Sequence, residues 1–381
     1  MIVKEPPVTS EPQIYDYIVV GAGIAGASVA YRLAEQHKLI VLEREDQPGY
    51  HSTGRSAAMF QEAYGTPQIR ALTRASRRFY ENPPQDFCES PIMTPRGCFY
   101  VAKPDQLDAL EKSRSIEGLA DIDLETVFER VPSLNRDLVA GALFEEDAQD
   151  LDVHVLHQGY LKGLRKQGGQ LKCNAHVVAA DYVEGLWQVS LANHEVIFGK
   201  VLVNAAGAWA DELAKIAHIE PVGLQPKRRT AFTFSPQPAY DFTHWPSVCG
   251  ITDDFYFKPD AGQLLGCPCN VDPVEPQDVQ PEELDIALGV HHIEEMTDMR
   301  IGRPNHVWAG LRSFVRDGDL VVGYEPQQPA FFWLAAQGGY GIQSSAGVSL
   351  LAYTLLTKQA LPEVLVRQGV QPEQLSPARF R

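Results

Sequence analysis

A short apolar run, Tyr-Asp-Tyr-Ile-Val-Val at 15–20, opens the patterned part of the chain and predicts a strand. It passes directly into Gly21-Ala22-Gly23-Ile24-Ala25-Gly26. The small, helix-tolerant residues that follow, to about Gln36, offer Val29 and Leu33 to an inner face. A turn at His37 and Lys38 leads to Leu39-Ile40-Val41-Leu42, a second strand ending at Glu43. Strand, helix and strand within ~30 residues is the size of one βαβ unit. Thr66 and Pro67 then predict a helix start, as N-cap and first helical residue, with Ile69, Leu72, Ala75 and Phe79 recurring at helical spacing. Arg70, Arg74, Arg77 and Arg78 sit mostly elsewhere on that helix and read as a solvated face.

From about Ile92 the pattern is strand-like and interrupted. A helix is predicted over 153–166, stopped by Gly168-Gly169, and short alternating strands lead to Val201-Leu202-Val203-Asn204-Ala205-Ala206-Gly207. Residues 221–320 read as a separate β-rich region, with strand pieces at 230–234, 254–259 and 262–266. The acidic, proline-punctuated run 270–285 reads as an exposed loop. Two apolar strands follow, at 320–324 and 331–336, and Gly338-Gly339-Tyr340-Gly341 turns into a helix over 342–357.

Composition narrows the function classes. Across 381 residues, 33 basic against 49 acidic side chains give a formal charge of −16, which argues against nucleic-acid or anionic-membrane partners. No stretch approaches the ~18 apolar residues of a membrane span, and the N-terminus lacks the pattern of a secretory signal. The expectation is a soluble, cytoplasmic protein. The six cysteines are scattered and read as ordinary thiols; Cys267-Pro-Cys269 has no second ligand pair at metal-binding spacing, so no metal is expected. His154 and His157 share a helical face and read as solvated or packed side chains.

The glycine loop carries the first chemistry. Gly21 permits a tight turn, Gly23 lets the backbone approach a pyrophosphate, and Gly26 allows close helix–strand packing. The helix start offers free N–H groups to phosphates. Glu43, 22 residues after Gly21, is placed to accept ribose hydroxyls and would repel a 2′-phosphate, which disfavours NADP. The motif alone leaves NAD and FAD open.

The wider set of motifs decides between them. Gly21–Gly26 with Glu43-Arg44, the run His51-Ser52-Thr53-Gly54-Arg55-Ser56-Ala57-Ala58, Val201–Trp209, Arg228-Arg229, Trp308-Ala309-Gly310-Leu311-Arg312 and Gln337–Gln343 occur in order. In these the chain resembles the D-amino-acid-oxidase-like flavoprotein family over almost its whole length, and within it the bacterial D-arginine dehydrogenases most. The resemblance implies an α/β, two-domain flavoprotein of the glutathione-reductase-like type. Its Rossmann-type FAD-binding domain would comprise 13–91, 148–220 and 320–365, its β-rich substrate domain 92–147 and 221–319, with 1–12 as an N-terminal extension. It also implies non-covalent FAD, held by Gly21, Gly23, Ala25, Gly26, Glu43, Arg44, the segment Ser52–Met59 beside the flavin, Val177 near the adenine, and Gly207. Gly338, Gly339, Tyr340, Gly341, Ile342 and Gln343 would face the isoalloxazine ring, where helix-start amides stabilise charge on reduced flavin.

For the substrate, the resemblance implies Arg312 as the main carboxylate clamp, with Tyr256, Arg229 and Tyr64 as further contacts and the Gly339 carbonyl on the amine. An arginine fork suits a carboxylate, which it binds bidentately. The implied reaction passes a hydride from the α-carbon of a D-amino acid to flavin N5; water then hydrolyses the imino acid to a 2-oxo acid and ammonia. The electron acceptor stays open between a quinone or other carrier and O2. Secondary amines and 2-hydroxy acids are rival substrates for the same clamp, and a flavin-binding protein without turnover is the rival of another class. Two positions depart from the D-arginine dehydrogenase pattern: Cys98 stands where that enzyme has a glutamate for the cationic side chain, and Met59 where it has a histidine. Both are expected at the side-chain pocket and favour a neutral side chain, with Glu62 or Glu89 as alternative carboxylates.

Overall fold

A computed structural model describes residues 13–381, so the expected extension 1–12 lies outside the described residues. The strand Ile14–Val20 sits at the centre of an eight-stranded sheet. It pairs in parallel with Leu39–Leu42 on one side and Val196–Asn204 on the other. Gln170–Lys172 extends the first side and Gln328–Ala335 the second, both parallel. Parallel strands buried on both faces need near-continuous apolar sequence, and Ile18, Val19, Leu42, Leu202 and Phe332 are all fully enclosed. The helices Ile24–Leu33, Pro67–Glu81, Val153–Lys166 and Gly341–Leu356 pack into one core on one face of this sheet.

The second sheet has nine strands, largely antiparallel, and its own core around Phe99, Phe232, Phe257 and Ile293. Its long hairpin-like ladder joins Gln225–Phe234 to His306–Phe314, with Arg229 opposite Gly310 and Lys227 opposite Arg312. Side chains alternate along a strand, so Arg229 and Arg312 share one face while Arg228 points to the other. There Arg228 is tied to Asp285 at 2.7 Å and to Glu282.

Two sequence expectations need correction. The run 270–285 is not all loop: it ends in a helix, Glu283–Met296, whose Asp285 is the buried partner of Arg228. Nor is the arginine set of Pro67–Glu81 simply a solvated face. Arg77 pairs with Glu62 at 2.6 Å, both about four-fifths buried, because Glu62 projects back over the helix. Two short helices, Leu107–Ser113 and Leu124–Arg130, also interrupt the region after Ile92. Among the described residues, no helix is long and apolar enough to cross a membrane, and no group of three or more His, Cys, Asp or Glu is arranged for a metal.

Candidate active site

Three adjoining cavities form one cleft from the start of the first helix to the second sheet. The outer one, about 410 Å³, is lined by Gly21, Gly23, Glu43, Arg44, Ser52, Thr53, Val177 and Gly207 among others. The backbone around Gly21 has φ +102°, and a Cβ there would lie 2.3 Å from the Ala205 carbonyl oxygen, so only glycine serves. A Cβ on Gly26 would come within 1.9 Å of the Gly21 carbonyl oxygen. Gly23 differs: a Cβ there would meet only the Thr53 hydroxyl, at 3.2 Å. The protein leaves a cradle over Gly23 that a ligand can fill.

The loop is held from both sides. Glu43 accepts the Ala22 N–H at 2.8 Å and Thr53 accepts the Ile24 N–H at 3.0 Å. His157 contacts the Ala22 carbonyl at 2.8 Å through Nε2 and is buried, so it is a packed histidine supporting the loop. Arg44 lies over the Trp209 ring at 4.3 Å. The far end of the cavity is apolar, with Ala175, Val177, Leu213 and Ile216. The glycine cradle, the Glu43 carboxylate and the apolar slot suit, respectively, the pyrophosphate, ribose and adenine of a dinucleotide.

A narrower cavity of about 100 Å³ continues along Ser52, Thr53, Ser56 and Ala57 to Gly338, Gly339 and Gly341. Arg55 lines it and is anchored by the Val279 and Ala309 carbonyls and Asp278. Ala25, Gly26, Gly54 and Tyr340 do not line the three cavities; Gly54 donates to the Gly49 carbonyl and Tyr340 packs on Tyr64 with ring centres 5.0 Å apart.

The inner cavity, about 250 Å³, gathers Tyr64, Arg229, Tyr256, Arg312, Gly339 and Met59. Arg312 donates to the Tyr64 hydroxyl at 3.2 Å. A Cβ on Gly339 would sit 2.7 Å from Arg312 Nη1, so the glycine makes room for the guanidinium. Arg229 is 8% exposed, and its Nε and Nη1 have no hydrogen-bond partner among the described residues; its Nη2 is 3.7 Å from Asp253. Burial pushes the Tyr64 and Tyr256 phenols up, so both remain hydrogen-bond donors. Two cationic forks and two phenols thus converge on one space.

Cys98 does not lie on this cavity's lining. It is fully buried behind Gln61 and Cys249, 3.3 and 3.5 Å away. The rest of the lining includes Met59, Gln61, Tyr100, Cys249 and Ile251, with Arg70 and Asp253 as further charged side chains. Glu62 is committed to Arg77 and Glu89 is exposed away from the wall. The buried carboxyl that the sequence reading missed is Glu145, behind Tyr100. Its place in strand Gly141–Glu145, opposite Cys98, is a matter of long-range register that no local motif marks.

The family pattern described as FAD dependent oxidoreductase (DAO) matches residues 16–354, most of the chain. The chain belongs to the FAD-dependent oxidoreductase family. FAD is its cofactor, and the glycine cradle and the elongated cleft fit it. This oxidoreductase is 23% identical to the mitochondrial dimethylglycine dehydrogenase of Homo sapiens, covering 91% of this chain but 43% of that protein. It is 22% identical to the glycine oxidase of Bacillus licheniformis, covering 86% and 89%. Among solved structures it is similar to glycine oxidase from Geobacillus kaustophilus, with TM-score 0.83 at 17% identity over 96% of this chain and 99% of that one. L-α-glycerophosphate oxidase from Mycoplasma pneumoniae, solved with FAD bound, gives 0.82 at 17% identity over 91% and 95%.

Proposed function

We propose that the oxidoreductase oxidises the carbon–nitrogen bond of an amino acid, of D configuration and with a neutral side chain, to the imino acid. Water hydrolyses that product to a 2-oxo acid and ammonia. The observation that carries this reading is the buried Arg229 guanidinium, which faces the same space as Arg312 and whose Nε and Nη1 have no hydrogen-bond partner among the described residues. Buried donors without partners are costly, and a bound carboxylate removes that cost. In this reading Arg312 and Arg229 hold the α-carboxylate, Tyr64 and Tyr256 donate to it, and the Gly339 carbonyl orients the neutral amine. Bound FAD supplies a two-electron acceptor for the α-hydrogen. The protein's part is positioning and exclusion of water. The D configuration follows the resemblance to the bacterial D-arginine dehydrogenases. The neutral side chain follows the wall of Met59, Gln61, Tyr100, Cys249 and Ile251; the carboxylate that lines the cavity, Asp253, lies 3.7 Å from the Arg229 guanidinium of the clamp.

A second reading is a secondary or tertiary amine without a side chain, favoured by relatives named for dimethylglycine and sarcosine. The space beyond the clamp favours the first. Initial rates on D-amino acids, N-methylglycine and 2-hydroxy acids separate them: the account expects D-Met, D-Phe or D-Leu to lead. A lead by N-methylglycine moves the assignment to the second reading.

A further inference from the structure

Behind the back wall of the inner cavity lies a carboxyl group that the reaction does not use. Glu145 is 2% exposed and has no cation within ion-pair distance among the described residues. One oxygen accepts the Ala63 N–H at 3.1 Å, and the other meets the Tyr100 hydroxyl at 2.9 Å. The Tyr100 oxygen also accepts from Gln61 Nε2 at 2.8 Å. Tyr100 and Gln61 line the cavity, whereas Glu145 stands one layer behind them. A lone carboxyl so placed is pushed up by burial to about 7.

The other titratable groups around it supply no positive charge. Burial raises Cys98 and Tyr100, which keep their protons. Cys249 reaches the group only through Cys98, and the Glu62 carboxylate is held by Arg77.

The two protonation states of Glu145 differ in what Tyr100 shows the cavity. When ionised, Glu145 accepts a hydrogen bond from the Tyr100 hydroxyl, leaving negative potential and lone-pair density at the wall. When neutral, it keeps the Ala63 bond through one oxygen and donates from the other to Tyr100. The Tyr100 hydrogen is then free to turn into the cavity, while Gln61 donates as before.

We propose that Glu145 is a specificity-determining residue that acts through Tyr100. Ionised, it favours a cationic or donor-ended substrate side chain; neutral, it favours an uncharged or acceptor-ended one. This rests on the amino-acid reading given above. Through Tyr100 the wall of Met59, Gln61, Cys249 and Ile251 then admits a cation more readily at higher pH.

The test is the ratio of kcat/KM for D-lysine to that for D-leucine on the holoenzyme between pH 5.5 and 8.5. The lysine side chain stays charged over that range, and the α-amine titrates in both substrates, so it largely cancels. The ratio should rise about fivefold or more with a midpoint near 7. Glu145→Gln keeps an acceptor for Ala63 and fixes the neutral form, so its ratio should stay low and flat. Tyr100→Phe cuts the relay and should flatten the ratio without touching Glu145's bond to Ala63. A pH-independent wild-type ratio, or a rise retained in either variant, overturns the proposal. Flavin that no amino acid reduces at any pH overturns the amino-acid reading beneath it as well, and so distinguishes the two failures.

Discussion

Arg229 enters the cleft with two guanidinium nitrogens that no atom of the described residues satisfies, and Arg312 beside it donates to the Tyr64 hydroxyl. Removing one cation from such a buried site costs ~2–5 kcal/mol of transition-state binding. Arg312→Met should therefore lower kcat/KM on amino acids roughly 30-fold to several-thousand-fold while flavin content is kept. Near-wild-type efficiency in that variant would place the clamp elsewhere. Glu145 gives a residue-scale prediction in stability. Its folded-state pKa, about 7, lies above the ordinary 4.5, so the folded protein holds that proton longer than the unfolded chain. The stability this contributes is full below about 4.5 and is lost as pH rises through about 7. Glu145→Gln should match wild type in melting temperature at pH 5 and exceed it at pH 8, by up to ~3 kcal/mol in unfolding free energy. Equal differences at both pH values would contradict this. The arginines were legible from the sequence through the motifs around Arg229 and Arg312. Cys98 was read as a pocket residue, yet it lies behind Gln61 and Cys249, because sequence spacing fixes a strand position but not the depth of a layer.

At the scale of elements, the glycine loop separates packing from binding. Gly26→Ala drives a methyl group into the Gly21 carbonyl, and should lower thermal stability even without flavin. Gly23→Val meets mainly the Thr53 hydroxyl, so the apoprotein should fold while flavin absorbance after purification falls to a small fraction. If Gly23→Val retains FAD, the pyrophosphate does not run over this loop. The strand–loop–helix–strand start was readable because apolar runs, glycines and Glu43 are all local signals. Helix Glu283–Met296 was not readable. It follows a proline-punctuated acidic run, buries Asp285 and Gly289, and leaves Leu284 and Leu288 exposed, so it lacks a clean apolar stripe. The pairing of Glu62 with Arg77 was hidden for a related reason: it joins a loop to a helix face across 15 residues with no periodic pattern.

For the whole molecule, two sheets with separate cores meet at one cleft. The eight-stranded sheet brings the glycine loop and Gly338–Gly341 to it, and the second sheet brings Arg229, Tyr256 and Arg312. Neither sheet alone builds a site that can hold both a dinucleotide and a carboxylate. This division was legible as an order of motifs, whereas the back wall of Tyr100 and Glu145 depends on strand register between distant segments. The central claim, that an amino acid held by this clamp gives its electrons to FAD, is tested most directly by anaerobic mixing. D-Met, D-Leu and D-Phe should bleach the flavin absorbance of the wild-type holoenzyme and leave that of an Arg229→Met, Arg312→Met double variant nearly unchanged on the same timescale. Wild-type flavin that stays oxidised with all common amino acids of either hand, or a double variant bleached as fast as wild type, would contradict the account.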